Sequence, residues 1–360
     1  MLALLTSAAL SLPATAQAAP PSKCITDGTT WRGRSIMPDV AKLGARVFTT
    51  GLFWNAVAPS RPVNPQDPAD PAYEWPVGLD ASLDEARRLG VEPVLYVNGF
   101  PAWSNGGRSL DWAPQDPQDY ADFMVAAVRK YPQVRRWQVI SEPGKGANFQ
   151  PQGGGGRTAP RLYARILDAA YGAMHGARRN VVVIGGNLHP TGGDDRFSTS
   201  PPTFLRNMKL PSGARPRMDL FGMNPYSERR PRLSEPQQGG RVDINDLDWL
   251  LRRLDQAYPG KRLRVFIGEF GWQTEHGNEQ WFWYVPMKQQ AQDLTAAYRL
   301  AARVGRIDTL CWFQLHDAPD AHDSGGLFFT NWTGGLRRAN GEAKPSQLAF
   351  RRVPPGPRRV

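Results

Sequence analysis

Short apolar runs alternate with segments that repeat apolar residues at helical spacing, and this alternation continues along most of the 360 residues. The apolar runs, rich in β-branched and aromatic residues, predict strands over 46–54, 92–97, 137–140, 181–184, 218–223, 265–267 and 309–314, with a first short strand at 24–26. Between them lie amphipathic helices. One ends near 39–43 at Gly44, another covers 79–89, and a third opens at the Asp116-Pro117 cap. Others run over 160–177, around 203–208, from a cap at Asp243 with Leu247, Leu250, Leu251 and Leu254 inward, over 287–304 to a stop at Gly305, and near 345–351. Eight strand–helix units with no composition shift between them predict an α/β single domain, a (β/α)8 TIM barrel, over residues 19–360. The doubly wound alternative wants a glycine fingerprint after the first strand, and none is there.

All strands of such a barrel end on one face, so residues far apart in sequence meet there. Trp54, Trp103, Glu142, Tyr226, Glu269 and Trp312 each follow or end a predicted strand. Two of these stretches share a design. In Arg264-Val-Phe-Ile-Gly-Glu-Phe-Gly-Trp272 and in Arg136-Trp-Gln-Val-Ile-Ser-Glu-Pro143, an apolar strand hands a glutamate to the rim of the core. Either glutamate alone reads as an ordinary loop carboxylate. Two carboxylates from the fourth and seventh strand ends are the equipment for cutting a glycosidic bond, one as acid and one as nucleophile. Sugars also need flat apolar faces, for which Trp272, Trp281 and Trp283, close after Glu269, are the preferred candidates.

Composition narrows the picture further. The net charge of +11 comes mostly from arginine. It suits an anionic polysaccharide or a negatively charged envelope, although arginines solvating helix faces explain it more simply. The arginines are spread along the chain, which argues against a nucleic-acid partner. Residues 2–12 form an apolar run too short to span a membrane, with Ala16-Gln-Ala18 suited to a signal peptidase, though no Lys or Arg precedes the run. Residues 1–18 therefore read as a signal peptide, and the protein as secreted or extracytoplasmic, without a stable membrane anchor, and monomeric. Cys24 and Cys311 can pair or remain separate buried thiols. The five histidines show no zinc-type spacing, and the Gly153–Gly156 run lacks the Lys-Ser/Thr of a phosphate loop, so no metal and no cofactor is expected.

Several stretches, in this order, resemble clan A of the glycoside hydrolases, particularly exported bacterial proteins related to families 5 and 39. They are Trp54-Asn-Ala-Val-Ala-Pro-Ser-Arg-Pro62, Phe100-Pro-Ala-Trp103, Glu142-Pro143, Gly185-Gly186, Ser200-Pro-Pro-Thr-Phe204, Asn224-Pro-Tyr226, Gly268-Glu-Phe-Gly-Trp272 and Trp312. The resemblance implies a retaining hydrolase of β-linked glycans with Glu142 as acid/base and Glu269 as nucleophile. It implies that Tyr226 bonds the nucleophile and that Trp312 floors the sugar site, with Ser141, Asn224, Trp54 and Trp103 also facing substrate. Three positions depart from the pattern. Ser141 stands where the clan has Asn, Thr49 where it has Arg (Arg46 lies three residues earlier), and Asn224 where close relatives have His. These departures keep open a non-catalytic or transglycosylating glycan-binding barrel. A basic surface protein holding nucleic acid or an anionic envelope polymer is the remaining alternative.

Overall fold

The structure, a computed structural model, describes residues 19–234, 240–275, 283–318 and 332–358. Residues 1–18 lie outside that set, and so does Trp281.

Eight parallel strands close into a barrel: β1 (Ser22–Thr26), β2 (Val47–Phe53), β3 (Glu92–Asn98), β4 (Arg136–Val139), β5 (Val182–Leu188), β6 (Leu220–Met223), β7 (Arg264–Ile267) and β8 (Ile307–Phe313). Each neighbours the next in sequence, and β8 pairs with β1 in a register that sets Cys24 opposite Cys311. The short first strand around Cys24 is therefore present. The main helices follow the strands in turn: α1 (Met37–Lys42), α2 (Leu79–Arg88), α3 (Pro117–Lys130), α4 (Thr158–Ala177), α5 (Pro201–Asn207), α6 (Leu247–Ala257), α7 (Met287–Val304) and α8 (Pro345–Arg352). No helix among the described residues is long and apolar enough to cross a membrane.

The caps expected from the sequence are present. The Asp116 carboxylate accepts from the Gln118 backbone N–H at the start of α3. Asp243 caps a 3-10 turn, Ile244–Asp246, through a capping box, and α6 starts only after it. Gly305 ends α7 with φ 74°.

Strand parity sorts the side chains into two apolar cores. Outward residues such as Ile25, Phe48, Leu95, Trp137, Val183, Phe221, Val265 and Leu310 join the helix faces in the large core. Inward residues Cys24, Val47, Val94, Ile184, Leu220, Phe266 and Cys311 fill the barrel itself. The barrel's lower end is ionic. Buried Arg136 pairs with Glu92 at 3.1 Å and Asp308 at 2.8 Å, and Arg264 approaches Asp308 at 3.3 Å. Above that layer the Cys24–Cys311 disulfide staples the seam where the first strand meets the last, 287 residues apart. Carboxylates come next, at the open rim.

Candidate active site

β4 ends at Val139, and the chain then turns through two left-handed residues, Ile140 (φ 57°) and Glu142 (φ 53°). Such conformations cost about 1–3 kcal/mol at non-glycine residues and persist only where neighbours hold them. Four hydrogen bonds hold them here. The Asn187 amide donates to the Val139 and Ile140 carbonyls at 3.2 Å each. Asn98 Oδ1 accepts from the Ser141 N–H at 2.7 Å, and the Glu142 N–H donates to the Asn187 carbonyl at 2.8 Å. Gly222 on β6 makes room for Asn187, because a Cβ there would lie 1.7 Å from Asn187 Oδ1. The irregular strand end thus aims the Glu142 side chain inward at the mouth.

The buried Glu142 carboxylate accepts hydrogen bonds on both oxygens. Asn224 Nδ2 reaches Oε1 at 3.1 Å, while Asn148 Nδ2 and Lys145 Nζ each stand 3.4 Å from Oε2. Burial pushes its pKa up, but Lys145, His189 and the Asn224 bond outweigh burial and hold it below the usual carboxylate value. Glu269, just past β7, accepts a bond from the Tyr226 hydroxyl at 3.1 Å. Burial and the charge of Glu142 push Glu269 up to about 8, against weaker opposition from Tyr226 and Lys145. The two carboxyls therefore sense each other, and the groups around Glu142 favour its anion more than the surroundings of Glu269 favour that of Glu269.

Gly268 matters to this packing. A Cβ there would stand 2.6 Å from Gln138 Nε2 and 3.1 Å from Asn224 Oδ1. The Gly268 carbonyl accepts from Thr26 Oγ1 at 2.6 Å, which ties β7's end to β1.

The position expected to carry arginine is occupied differently. Thr49 is fully buried inside the barrel, with Oγ1 3.6 Å from both Cys24 Sγ and Cys311 Sγ. The disulfide and a small hydroxyl fill the space beneath the carboxylates. Arg46 lies at the other end of β2, lining a cavity of about 540 Å³ with Arg87, Arg135 and Arg358. Among the described residues, no guanidinium ranks among the principal influences on Glu269.

The tryptophans sort differently from the sequence expectation. Trp312 has outward parity on β8. It is fully buried in the large core against Phe270 and Trp272, and its Nε1 donates to the Gly334 carbonyl at 3.0 Å. It offers no face to a sugar. The next residue, Phe313, has inward parity and forms the mouth cluster with Tyr226 and Trp332. Trp54 and Trp272 are likewise core residues, at 0% and 1% exposure; Trp54 packs among Phe100, Tyr120 and Phe123. Trp103 is half-buried at the edge of that core, with the Arg61 guanidinium 4.4 Å from its ring. Trp283 packs on the mouth cluster, with Arg241 6.0 Å from its ring. Ser141 and Asn224 are both buried at the mouth, and Asn224 is spent on Glu142.

Sequence reasoning missed Asn98, Asn187, Lys145, Asn148, Phe313 and Trp332. It also missed Tyr96 on β3, whose hydroxyl is pushed up by burial and by the charges of Glu269 and Asp27. Lys145 carried a usable signal, since it lies three residues after Glu142 in a turn. Trp332 carried none, because it lies 19 residues beyond Phe313 in sequence and outside any predicted strand.

No family model matches the sequence, and no curated protein matches it. Solved structures do. A family 39 glycoside hydrolase from the gut symbiont Bacteroides cellulosilyticus WH2 superposes with a TM-score of 0.67 at 17% identity, over 93% of this chain and 63% of that one. A glucosidase from Croceicoccus marinus gives 0.66 at 15% identity, over 94% and 67%. A monomeric β-xylosidase from Caulobacter crescentus CB15 gives 0.61 at 17%, over 93% and 69%. The chain spans less than two thirds of the first of these proteins. With its closed eight-stranded barrel, the chain has the fold of family 39 glycoside hydrolases.

Proposed function

We propose that the protein is an exported retaining glycoside hydrolase acting on a β-linked glycan. The observation that carries this reading is that Glu142 beyond β4 and Glu269 beyond β7 share one barrel mouth, where Asn224 and Tyr226, two residues apart beyond β6, bond one carboxylate each. Glu142 protonates the glycosidic oxygen as the Glu269 carboxylate attacks the anomeric carbon. Water, deprotonated by Glu142, then cleaves the glycosyl ester. The Tyr226 hydroxyl orients Glu269 and spreads its charge. Half-buried Trp283, packed on the buried Phe313 and Trp332, supplies an apolar side to the mouth.

The structurally similar glucosidase and β-xylosidase favour hydrolysis of a glycoside. Export is supported by the apolar run in residues 2–12 and by the buried disulfide, which suits an oxidising compartment. A second reading is a glycan-binding barrel of weak or transferring activity. It is favoured by the ion-paired Glu142 and by threonine at position 49.

The test is a reducing-end assay over bacterial and plant polysaccharides, with Glu269→Gln as blank. Glu269→Gln should abolish hydrolysis, and Glu142→Gln should cripple it except on substrates with activated leaving groups. Wild-type rates in either variant on the natural glycan overturn the assignment. Glycan affinity without turnover supports the second reading, and products longer than the substrate support its transferring form.

A further inference from the structure

The loops after β4 and β5 run side by side just outside Glu142. Lys145 pairs antiparallel with Ser198, the Gly146 N–H donates to the Phe197 carbonyl, and the Thr199 N–H donates to the Gly144 carbonyl, both at 2.8 Å. This ribbon fixes the backbone of Lys145, whose half-buried side chain reaches Glu142 Oε2 at 3.4 Å. On the same ribbon Phe197 is 62% exposed, with the Arg196 guanidinium 4.6 Å from its ring. The ribbon's two carboxylates are turned to their own loop. Asp194 accepts from the Ser200 N–H and from the Ser200 and Thr203 hydroxyls; Asp195 accepts from the Phe197 and Ser198 N–H groups.

In a retaining site the acid stands between the ring being cut and the leaving group, so side chains just outside Glu142 meet the leaving group. An ammonium bonded to the acid's own oxygen favours the anion and opposes the protonated form that the first step needs. The other groups facing Glu142 are Asn148 beyond β4, His189 beyond β5, Asn224 and Tyr226 beyond β6, and Glu269 beyond β7. Arg241 faces His189 from the segment before α6. Lys145 is the cation in direct contact, and it sits on a flexible four-carbon stem.

We propose that Lys145, Arg196 and Phe197 form a leaving-group subsite for an acidic sugar, whose carboxylate draws Lys145 off Glu142 and lets Glu142 carry the acid proton. This rests on the hydrolase reading above. One proton serves both carboxyls. With the acidic sugar bound and Lys145 drawn off, Glu142 carries it and Glu269 is the carboxylate. Glu142 gives it to the glycosidic oxygen as the bond from that oxygen to the anomeric carbon breaks and the Glu269 ester bond forms. In the second step water's oxygen displaces Glu269 while Glu142 takes water's proton, which restores the starting count. Lys145 is a positioning residue, Arg196 a second anchor for the carboxylate, and Phe197 a stacking face.

The test is NMR of protein labelled with ¹³C at the glutamate δ-carboxyl, with Glu142 and Glu269 assigned through their Gln variants. In free protein, Glu142 should titrate below Glu269. Sodium glucuronate as probe should raise the Glu142 midpoint and lower that of Glu269, while glucose should move neither. Lys145→Met should weaken glucuronate binding about five- to tenfold, as for a partly exposed charge-assisted bond, and Lys145→Arg should retain it. Glu142 titrating above Glu269 in free protein, or equal responses to glucose and glucuronate, overturns the proposal. These readouts need no turnover. A protein that hydrolyses only neutral glycans and ignores glucuronate keeps the hydrolase reading and loses this one.

Discussion

The side-chain amide of Asn224 donates to Glu142 Oε1 at 3.1 Å, tying the carboxylate at the end of β4 to the chain beyond β6. Asn224, at the position where the resemblance implies a histidine in close relatives, thus works on a glutamate rather than on solvent. Removing this donor takes away one of the influences that hold Glu142 low. A hydrogen bond to a charged group contributes about 1.5–3 kcal/mol. Asn224→Ala should therefore raise the Glu142 midpoint in the same ¹³C titration. Asn224→Asp should raise it further, by setting a second carboxylate against it.

Glu269, raised to about 8, sets the pH dependence of the free protein. In the proposed mechanism the Glu269 carboxylate attacks the anomeric carbon, so kcat/KM on a substrate with an activated leaving group should rise with pH to a limb near 8. Tyr226→Phe removes a hydrogen bond that stabilises that carboxylate, and the limb should move to higher pH. Stability carries the opposite sign. The folded state binds this proton more tightly than the unfolded chain, whose carboxyl titrates near 4.5. The contribution to stability is full below that value and is lost as pH rises through about 8. Denaturant midpoints of wild type and Glu269→Gln across that window would show this, because the Gln variant should lack the decline.

Lys344 and Asp317 form a buried pair at 2.7 Å that pins the segment after β8. Lys344 Nζ also donates to Thr274 Oγ1 at 2.9 Å and to the Thr333 carbonyl at 2.8 Å, so one ammonium joins the chain beyond β7, the residues beside Trp332 and α8. Deleting one partner leaves a buried charge uncompensated, at a cost of about 3–5 kcal/mol. Lys344→Met should lose that much in chemical denaturation and should also disturb near-ultraviolet signals from Trp332. Lys344→Met with Asp317→Leu should recover most of the stability.

The Cys24–Cys311 disulfide closes the barrel seam across 287 residues of chain. A cross-link over so long a loop restricts the unfolded chain strongly, and losing such a bond costs about 2–5 kcal/mol. The double variant Cys24→Ala/Cys311→Ala should unfold at lower denaturant. Thr49 touches both sulfurs, so the change should also reach the carboxylates above it, visible as a shift in the Glu269 titration.

Much of this molecule was legible from spacing alone. The alternation of strand and helix produced the eight-unit barrel, and the caps at Asp116, Asp243 and Gly305 lie within one turn of their expected places. The two glutamates were marked by their position after apolar strands. What the pattern could not reach was which way individual side chains face at strand ends, where the regular period of two breaks down. Trp312 illustrates the limit, since one step of parity separates a core tryptophan from Phe313 at the mouth. Cys24 and Cys311 illustrate it again, because only closure of the barrel sets the first strand against the last. The sequence by itself determined the architecture and the pair of carboxylates, since both follow from local hydrophobic periodicity. The tertiary structure decided the electrostatic surroundings of that pair, because Lys145, Asn224 and Glu269 come to Glu142 from three different strand ends.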